Sequence, residues 1–167
     1  NATVQAAQAG TGSGLTWSGL AAGNGYYVIA TAAASCTATS TPVNVSTYSN
    51  PTITSTGTAN DVCFSTSGQL ATLVYNATTN SPNSYSIDWD ATANGAGLAD
   101  QASTPFAFAP GGGNLNSIAI SAGTLAGGPY SGTMTIFTVN GCTGVSPINI
   151  TVNPLPATPP ITGDAVL

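Results

Sequence analysis

The feature that most constrains this chain is a pattern it carries twice. Tyr130, Gly132 and Thr133 lead into an alternation through Met134, Ile136 and Phe137, then Gly141-Cys142, then a run from Pro147 to Val152. Earlier, Tyr26-Tyr27-Val28-Ile29 leads to Ser35-Cys36-Thr37 and on to Pro42-Val43-Asn44-Val45. Both copies run into an Asn-Pro step, Asn50-Pro51 and Asn153-Pro154. An apolar period of two marks a half-buried strand, so each copy reads as two strands joined at a cysteine and closed by a proline-marked linker. A unit that ends twice in the same way within 167 residues predicts two small β modules in tandem.

The composition limits what such modules can do. Five residues are acidic, and Lys, Arg and His do not occur, so charged residues make up 3% of the sequence, against about 25% in an average domain. Disorder couples low hydrophobicity to high net charge; here 42% of residues are hydrophobic and they fall in alternating runs, so the chain is expected to fold. With no cation to neutralise phosphates, nucleic-acid binding is excluded as a working expectation. Ser-His-Asp and Cys-His catalysis, zinc held by imidazole and lysine isopeptide bonds are excluded in the same way. No apolar run is long enough to insert in a membrane as a helix. The sequence starts at Asn1 without a leader-like run and reads as a processed or excised piece. Three cysteines in a β-rich, Ser/Thr-rich, acidic chain point to an oxidising, extracellular setting.

Taken in order, residues 1–48 form a short module with strands expected over 2–6, 15–18, 26–31 and 43–47, and a Gly/Asn-rich turn over 19–25. Residues 49–58, with Pro51-Thr52-Ile53-Thr54, read as a linker, which Pro160-Ile161-Thr162 echoes. The fuller module spans 49–155, with strands expected over 62–65, 70–76, 84–88, 105–109, 117–121, 132–139 and 146–152 and a short helical turn within 91–101. Residues 156–167 read as a linker and the start of a following module; residues 163–167 match the lead-in to Cys63. Seven short strands separated by turn clusters predict an all-β fold, a tandem of immunoglobulin-like sandwiches joined by short Pro-marked linkers.

Two resemblances fit this plan. Thr16-Trp17-Ser18-Gly19-Leu20-Ala21-Ala22-Gly23, Tyr26-Tyr27-Val28 and Cys36-Thr37-Ala38 resemble the SprB-type repeat of Bacteroidota gliding adhesins, with Ser35 in place of the usual Gly and Ala33-Ala34 where that family carries acidic residues. Asp61-Val62-Cys63, Tyr75-Asn76-Ala77-Thr78, the run from Ser81 to Asp90 and Tyr130-Ser131-Gly132-Thr133 through Gly141-Cys142 resemble the PKD-like repeats of large Bacteroidota surface proteins. The resemblance implies secretion by the type IX pathway and a place on the cell surface, in gliding or adhesion. It implies a non-catalytic stalk or filament whose partners are neighbouring modules.

Candidate site residues are few. Cys63 and Cys142 stand where a disulfide could tie the first strand to the end of the sandwich; a loop of that size would stabilise by roughly 3–5 kcal/mol. The alternative is a buried thiol. The repeat aligns Cys36 with Cys142, which places the partner of Cys36 outside the chain, and the first module is expected to lack its first strand. Asp88, Asp90 and Asp100 are the clustered acids, and with Asn94 they offer oxygens of the kind calcium takes. In a strand, however, Asp88 and Asp90 share a face with Trp89 on the other, so the simpler reading is a solvated strand end over a core tryptophan, with no cofactor. Trp17 and Trp89 are the candidates for stacking against a surface polysaccharide, the chemistry of a carbohydrate-binding module, with Tyr26, Tyr27, Tyr48 and Tyr130 beside them; core packing is the competing use. Tyr130 also fits a tyrosine corner. Asn1, Asn44, Asn76 and Asn149 open glycosylation-type triplets that serve strands and turns equally well.

Overall fold

The computed structural model describes residues 4–11, 13–33 and 35–157. The chain divides into two compact units, Asn1–Tyr48 and Ser49–Leu167, and the regular structure of the described part is β-strand apart from one short helix.

In the first unit β1 (Gly23–Tyr26) pairs antiparallel with β4 (Val43–Val45), and β2 (Ile29–Thr31) with β3 (Thr37–Thr39). The β2–β3 ladder continues through Ser40, whose N–H donates to the Val28 carbonyl at 2.9 Å. Each sheet has two strands, and no described residue of this unit is buried. Ile29, Val43 and Tyr48 are 55%, 60% and 59% exposed. Two-stranded sheets are marginal in water without a third strand or a packed face, and that explains where expectation fails. Residues 15–18 form no strand, and neither do 4–6; Ala2 and Thr3 lie outside the described residues. The single strand expected over 26–31 divides at Tyr27-Val28, where the chain passes from one sheet to the other.

The second unit is built from β5 (Thr52–Ser55), β6 (Val62–Cys63), β7 (Gln69–Thr79), β8 (Ser84–Trp89), α1 (Ala91–Gly95), β9 (Gln101–Pro105), β10 (Gly113–Ile120), β11 (Gly127–Phe137) and β12 (Thr143–Asn153). One sheet has the order β10-β7-β5 and the other β6-β12-β11-β8-β9. They meet across one core in a sandwich-like arrangement. Alternation decides the faces: Ala71, Leu73 and Tyr75 of β7 are buried while Leu70 and Val74 between and beside them are exposed. Opposite them stand Tyr85, Ile87 and Trp89 of β8, Met134 and Ile136 of β11, and Ile148, Ile150 and Val152 of β12, each at most 2% exposed. Burying a side chain of this kind contributes about 1.5–3 kcal/mol, so these strands carry most of the unit's cohesion.

Two expectations are corrected here. Pro51-Thr52-Ile53-Thr54 is not a linker: β5 is an edge strand paired with β7 in the register Thr52↔Thr79 and Ile53↔Thr78. The strand expected over 105–109 lies earlier, as β9, and residues 106–109 cross between the sheets instead. Phe106 and Phe108 leave the ladder to pack edge to face on each other at 4.8 Å and against Tyr85 and Tyr75. The Ala109 N–H donates to the Tyr75 hydroxyl at 2.9 Å.

After β5 the chain also changes sheets. The Asn149 N–H donates to the Gly57 carbonyl at 2.7 Å, the Ala59 N–H donates to the Asn149 carbonyl at 2.9 Å, and Thr58 bridges Asn149 in parallel. β6 then runs parallel to the end of β12, Val62↔Val152 and Cys63↔Asn153. The chain thus enters this unit at Pro51, packed on Gly144 at the start of β12, and leaves after Asn153 at its end. At 3.3 Å per residue these points are about 33 Å apart, at opposite ends of the sandwich.

Candidate functional site

Two of the three clustered acids, Asp88 and Asp90, border an open groove. With Trp89, Ser131, Gly132 and Thr133 they line about 340 Å³. Its floor is set by Gly132, where a Cβ would stand 2.8 Å from the Asp88 carbonyl and 2.9 Å from the Trp89 ring. Asp88 and Asp90 are exposed and Trp89 between them is 2% exposed, the alternation a strand imposes.

The carboxylates serve the backbone. Asp90 caps α1, its Oδ1 accepting from the Ala93 N–H at 2.8 Å, which satisfies one of the orphan amides of a helix start. Asp100 Oδ1 accepts from the Trp89 N–H at 2.9 Å, and Asn94 Nδ2 donates to the Trp89 carbonyl at 3.1 Å. Together they pin both backbone groups of Trp89, one from each flank. Among the described residues no three His, Cys, Asp or Glu side chains gather as metal ligands, so Asp88, Asp90 and Asp100 do not come together as the calcium set considered above.

Trp89 is corrected as a sugar-stacking candidate, because its ring is a core residue with no face open to a ligand. Its indole N–H is buried without a hydrogen-bond partner among the described residues, and nothing in the structure explains it. Trp17 is half-buried, its Nε1 donating to the Ala6 carbonyl at 3.4 Å. Tyr26 donates to the Ala21 carbonyl at 3.0 Å. Tyr130 is 7% exposed and donates to the Leu125 carbonyl, five residues upstream, at 3.0 Å, the geometry of a tyrosine corner.

The disulfide expected between Cys63 and Cys142 is not formed, and no disulfide joins any two of the three cysteines. The reason is register. Cys63 pairs with Asn153 while Cys142 sits in the turn before Thr143, so the length of β12, about 33 Å, lies between them. A disulfide tolerates Cα separations up to about 7 Å.

One constellation had no signal in the sequence. Gln101, on edge strand β9, donates from Nε2 to the Tyr85 hydroxyl at 2.7 Å and to the Ser117 carbonyl at 3.0 Å, while its Oε1 accepts from the Ala119 N–H at 2.9 Å. Tyr85, fully buried, donates to the same Ser117 carbonyl at 2.7 Å. Ser117 is offered by a bulge in β10, where the register passes from Leu115↔Leu73 to Ile118↔Ala71. Because β9 and β10 are edges of the two different sheets, this amide laces the sandwich along one side. It also occupies edge groups that would otherwise template pairing with another chain.

The chain matches no protein-family model, no curated protein and no solved structure. No helix among the described residues is long and apolar enough to cross a membrane.

Proposed function

We propose that the chain is a non-catalytic structural segment of a large extracellular surface protein, in which tandem immunoglobulin-like modules form a stalk or filament. The observation that carries this reading is the path of the chain through the second unit: it enters beside Gly144 and leaves beside Cys63, at opposite ends of the sandwich. Modules threaded in this way string out in line, whereas modules entered and left at one end hang from a common point. The stiff segment Asn153-Pro154-Leu155-Pro156 extends that line. The tyrosine corner at Tyr130 and a chain that passes from one sheet to the other between β5 and β6 support the immunoglobulin-like reading. The laced edge at Gln101 suits a protein that works at the cell surface without aggregating.

The resemblance to SprB-type and PKD-like repeats adds the setting: adhesion or gliding at the surface of a Bacteroidota cell, after type IX export. Neighbouring modules are then the partners. The carbohydrate-binding alternative is the weaker one, since it needs open ring faces and Trp89 has none.

The test is the mass of the native material under denaturing, non-reducing conditions, with peptides mapped by a protease that does not need lysine or arginine. A chain carrying many copies of this segment is expected. A discrete chain of 16.3 kDa overturns the covalent stalk.

A further inference from the structure

We infer that residues 57–64 and β12 form a mechanical clamp, which resists tension along the chain because that tension loads the hydrogen bonds between them in shear. The use of such a clamp rests on the stalk reading above; its geometry does not.

The clamp is built from two segments that run in the same direction. Asn149 is gripped at one point: its N–H donates to the Gly57 carbonyl at 2.7 Å and its carbonyl accepts from the Ala59 N–H at 2.9 Å. Further along, Val62 pairs with Val152 and Cys63 with Asn153, and the Phe64 N–H donates to the Asn153 carbonyl at 2.7 Å. A side-chain tie lies beside them, Asn153 Nδ2 donating to Asp61 Oδ2 at 3.4 Å. The close approach at Gly57 needs glycine, since its φ is +75° and a Cβ there would stand 3.0 Å from the Pro147 carbonyl. Ala59 is 1% exposed, and Val62 and Phe64 pack on the core. Side chains as well as backbone therefore hold the segment in place.

Direction decides what tension does. It reaches this unit at Pro51, buried beside Gly144 where β12 begins, and leaves after Asn153, where β12 ends. Residues 57–64 are thus drawn toward the start of β12 while β12 is drawn the opposite way, along the axis the two segments share. The bonds between them lie across that axis, so they are strained together and must fail together. Strands pulled apart from one end instead open one bond at a time, each carrying the whole force alone. Forced unfolding is set by the unfolding barrier rather than by equilibrium stability, so the same bonds resist more when loaded at once. β5, between Pro51 and the clamp, is drawn along its own length against β7 in the same pull. The first unit has no comparable device: its sheets have two strands each and none of its described residues is buried.

The experiment stretches the whole chain as a single molecule, in a background carrying Cys36→Ser, Cys63→Ser and Cys142→Ser, with two placements of the handles. Held by its two ends, the second unit is expected to give way in one step that adds roughly 300–340 Å, the segment from Pro51 to Asn153 at about 3.3–3.6 Å per residue less its folded span. Held by its N-terminal end and by Asn140→Cys, in the turn before β12 at the end where Pro51 enters, the clamp is peeled instead of sheared. The unfolding force at the same pulling speed is expected to fall below the end-to-end value. Two variants, with their stabilities measured in urea, separate force from stability. Ala59→Pro removes the N–H that donates to the Asn149 carbonyl and should lower the end-to-end force; Gly112→Ala strains the turn against Tyr75 and Asn76, away from the clamp, and should lower it less for the same loss of stability. An Asn140 force equal to or above the end-to-end force overturns the proposal, as does a Gly112→Ala loss as large as that of Ala59→Pro. If Ala59→Pro does not fold, the two handle placements decide alone. A short native polypeptide overturns the stalk reading and leaves these forces unchanged, so the two failures are distinguishable.

Discussion

Replacing Gln101 by leucine, close to its size without the amide, should loosen the lacing between the two sheets. Three hydrogen bonds that reach other strands are lost, to the Tyr85 hydroxyl at 2.7 Å, the Ser117 carbonyl at 3.0 Å and the Ala119 N–H at 2.9 Å, together with a longer one to the Thr104 hydroxyl at 3.3 Å. Their costs differ. Ala119 is exposed, so its amide turns to water at little loss. The Tyr85 hydroxyl and the Ser117 carbonyl keep each other at 2.7 Å, so neither is orphaned. At about 0.5–1.5 kcal/mol for each bond, Gln101→Leu should destabilise the second unit by about 1.5–3 kcal/mol. For a domain of this size the melting midpoint falls by roughly 4–8 °C per kcal/mol. Tyr85→Phe should cost about 1–2 kcal/mol, and because the residues touch, the double variant should depart from additivity by roughly 0.5–1 kcal/mol. Urea titration followed by circular dichroism measures all three, and unchanged slopes confirm that stability rather than compactness has moved. Gln101→Lys separates the second role: it loses the acceptor for the Ala119 N–H and places a charge on the edge, so it should be destabilised without the aggregation expected of Gln101→Leu. A Gln101→Leu midpoint within about 0.5 kcal/mol of the parent, or a coupling of zero, refutes the lacing argument.

Neighbouring glycines make a second, internally controlled test. Gly112 has φ +95 and a Cβ there would lie 2.6 Å from two carbonyl oxygens, of Tyr75 and Asn76, whereas Gly111 faces open space; Gly112→Ala should cost about 2–5 kcal/mol from strain and overpacking, and Gly111→Ala should be near neutral in the same titration. Tyr130→Phe removes the bond to the Leu125 carbonyl at 3.0 Å and should cost about 1–2 kcal/mol, read as a lowered thermal midpoint. Asp90→Ala uncaps α1 at about 1 kcal/mol. Millimolar calcium should leave the melting curve of the parent chain in place, because Asp90 and Asp100 already serve backbone amides; a midpoint raised by several degrees would show a site built from other oxygens.

The parts of the fold legible in the sequence are those with a local period. The strands around Ile87, Met134 and Ile150 lie where their alternation places them, and the Ala-rich stretch after Asp90 does turn helical. β5 was unreadable because Pro51-Thr52-Ile53-Thr54 has one aliphatic side chain, and its strand character comes from pairing with β7 some two dozen residues later. Phe106 and Phe108 alternate as a strand would, yet their partners are rings of both sheets rather than a neighbouring ladder. Gln101 carried no signal, since its role depends on a bulge at Ser117 sixteen residues away.

What the sequence by itself determined is the chemistry the chain lacks and the β-period it repeats: without Lys, Arg or His no arrangement of the backbone can supply an imidazole or a cationic side chain, and alternation is a property of neighbouring residues. What only the tertiary structure decided is register. Cys63 and Cys142, which sequence position invites into a disulfide, lie at opposite ends of β12 because β6 pairs with its far end in parallel. Trp89 is held in the core with its backbone pinned from either side by Asp100 and Asn94. Pairing between distant strands is chosen by the packing of the whole core at once, and no local window of sequence contains that sum.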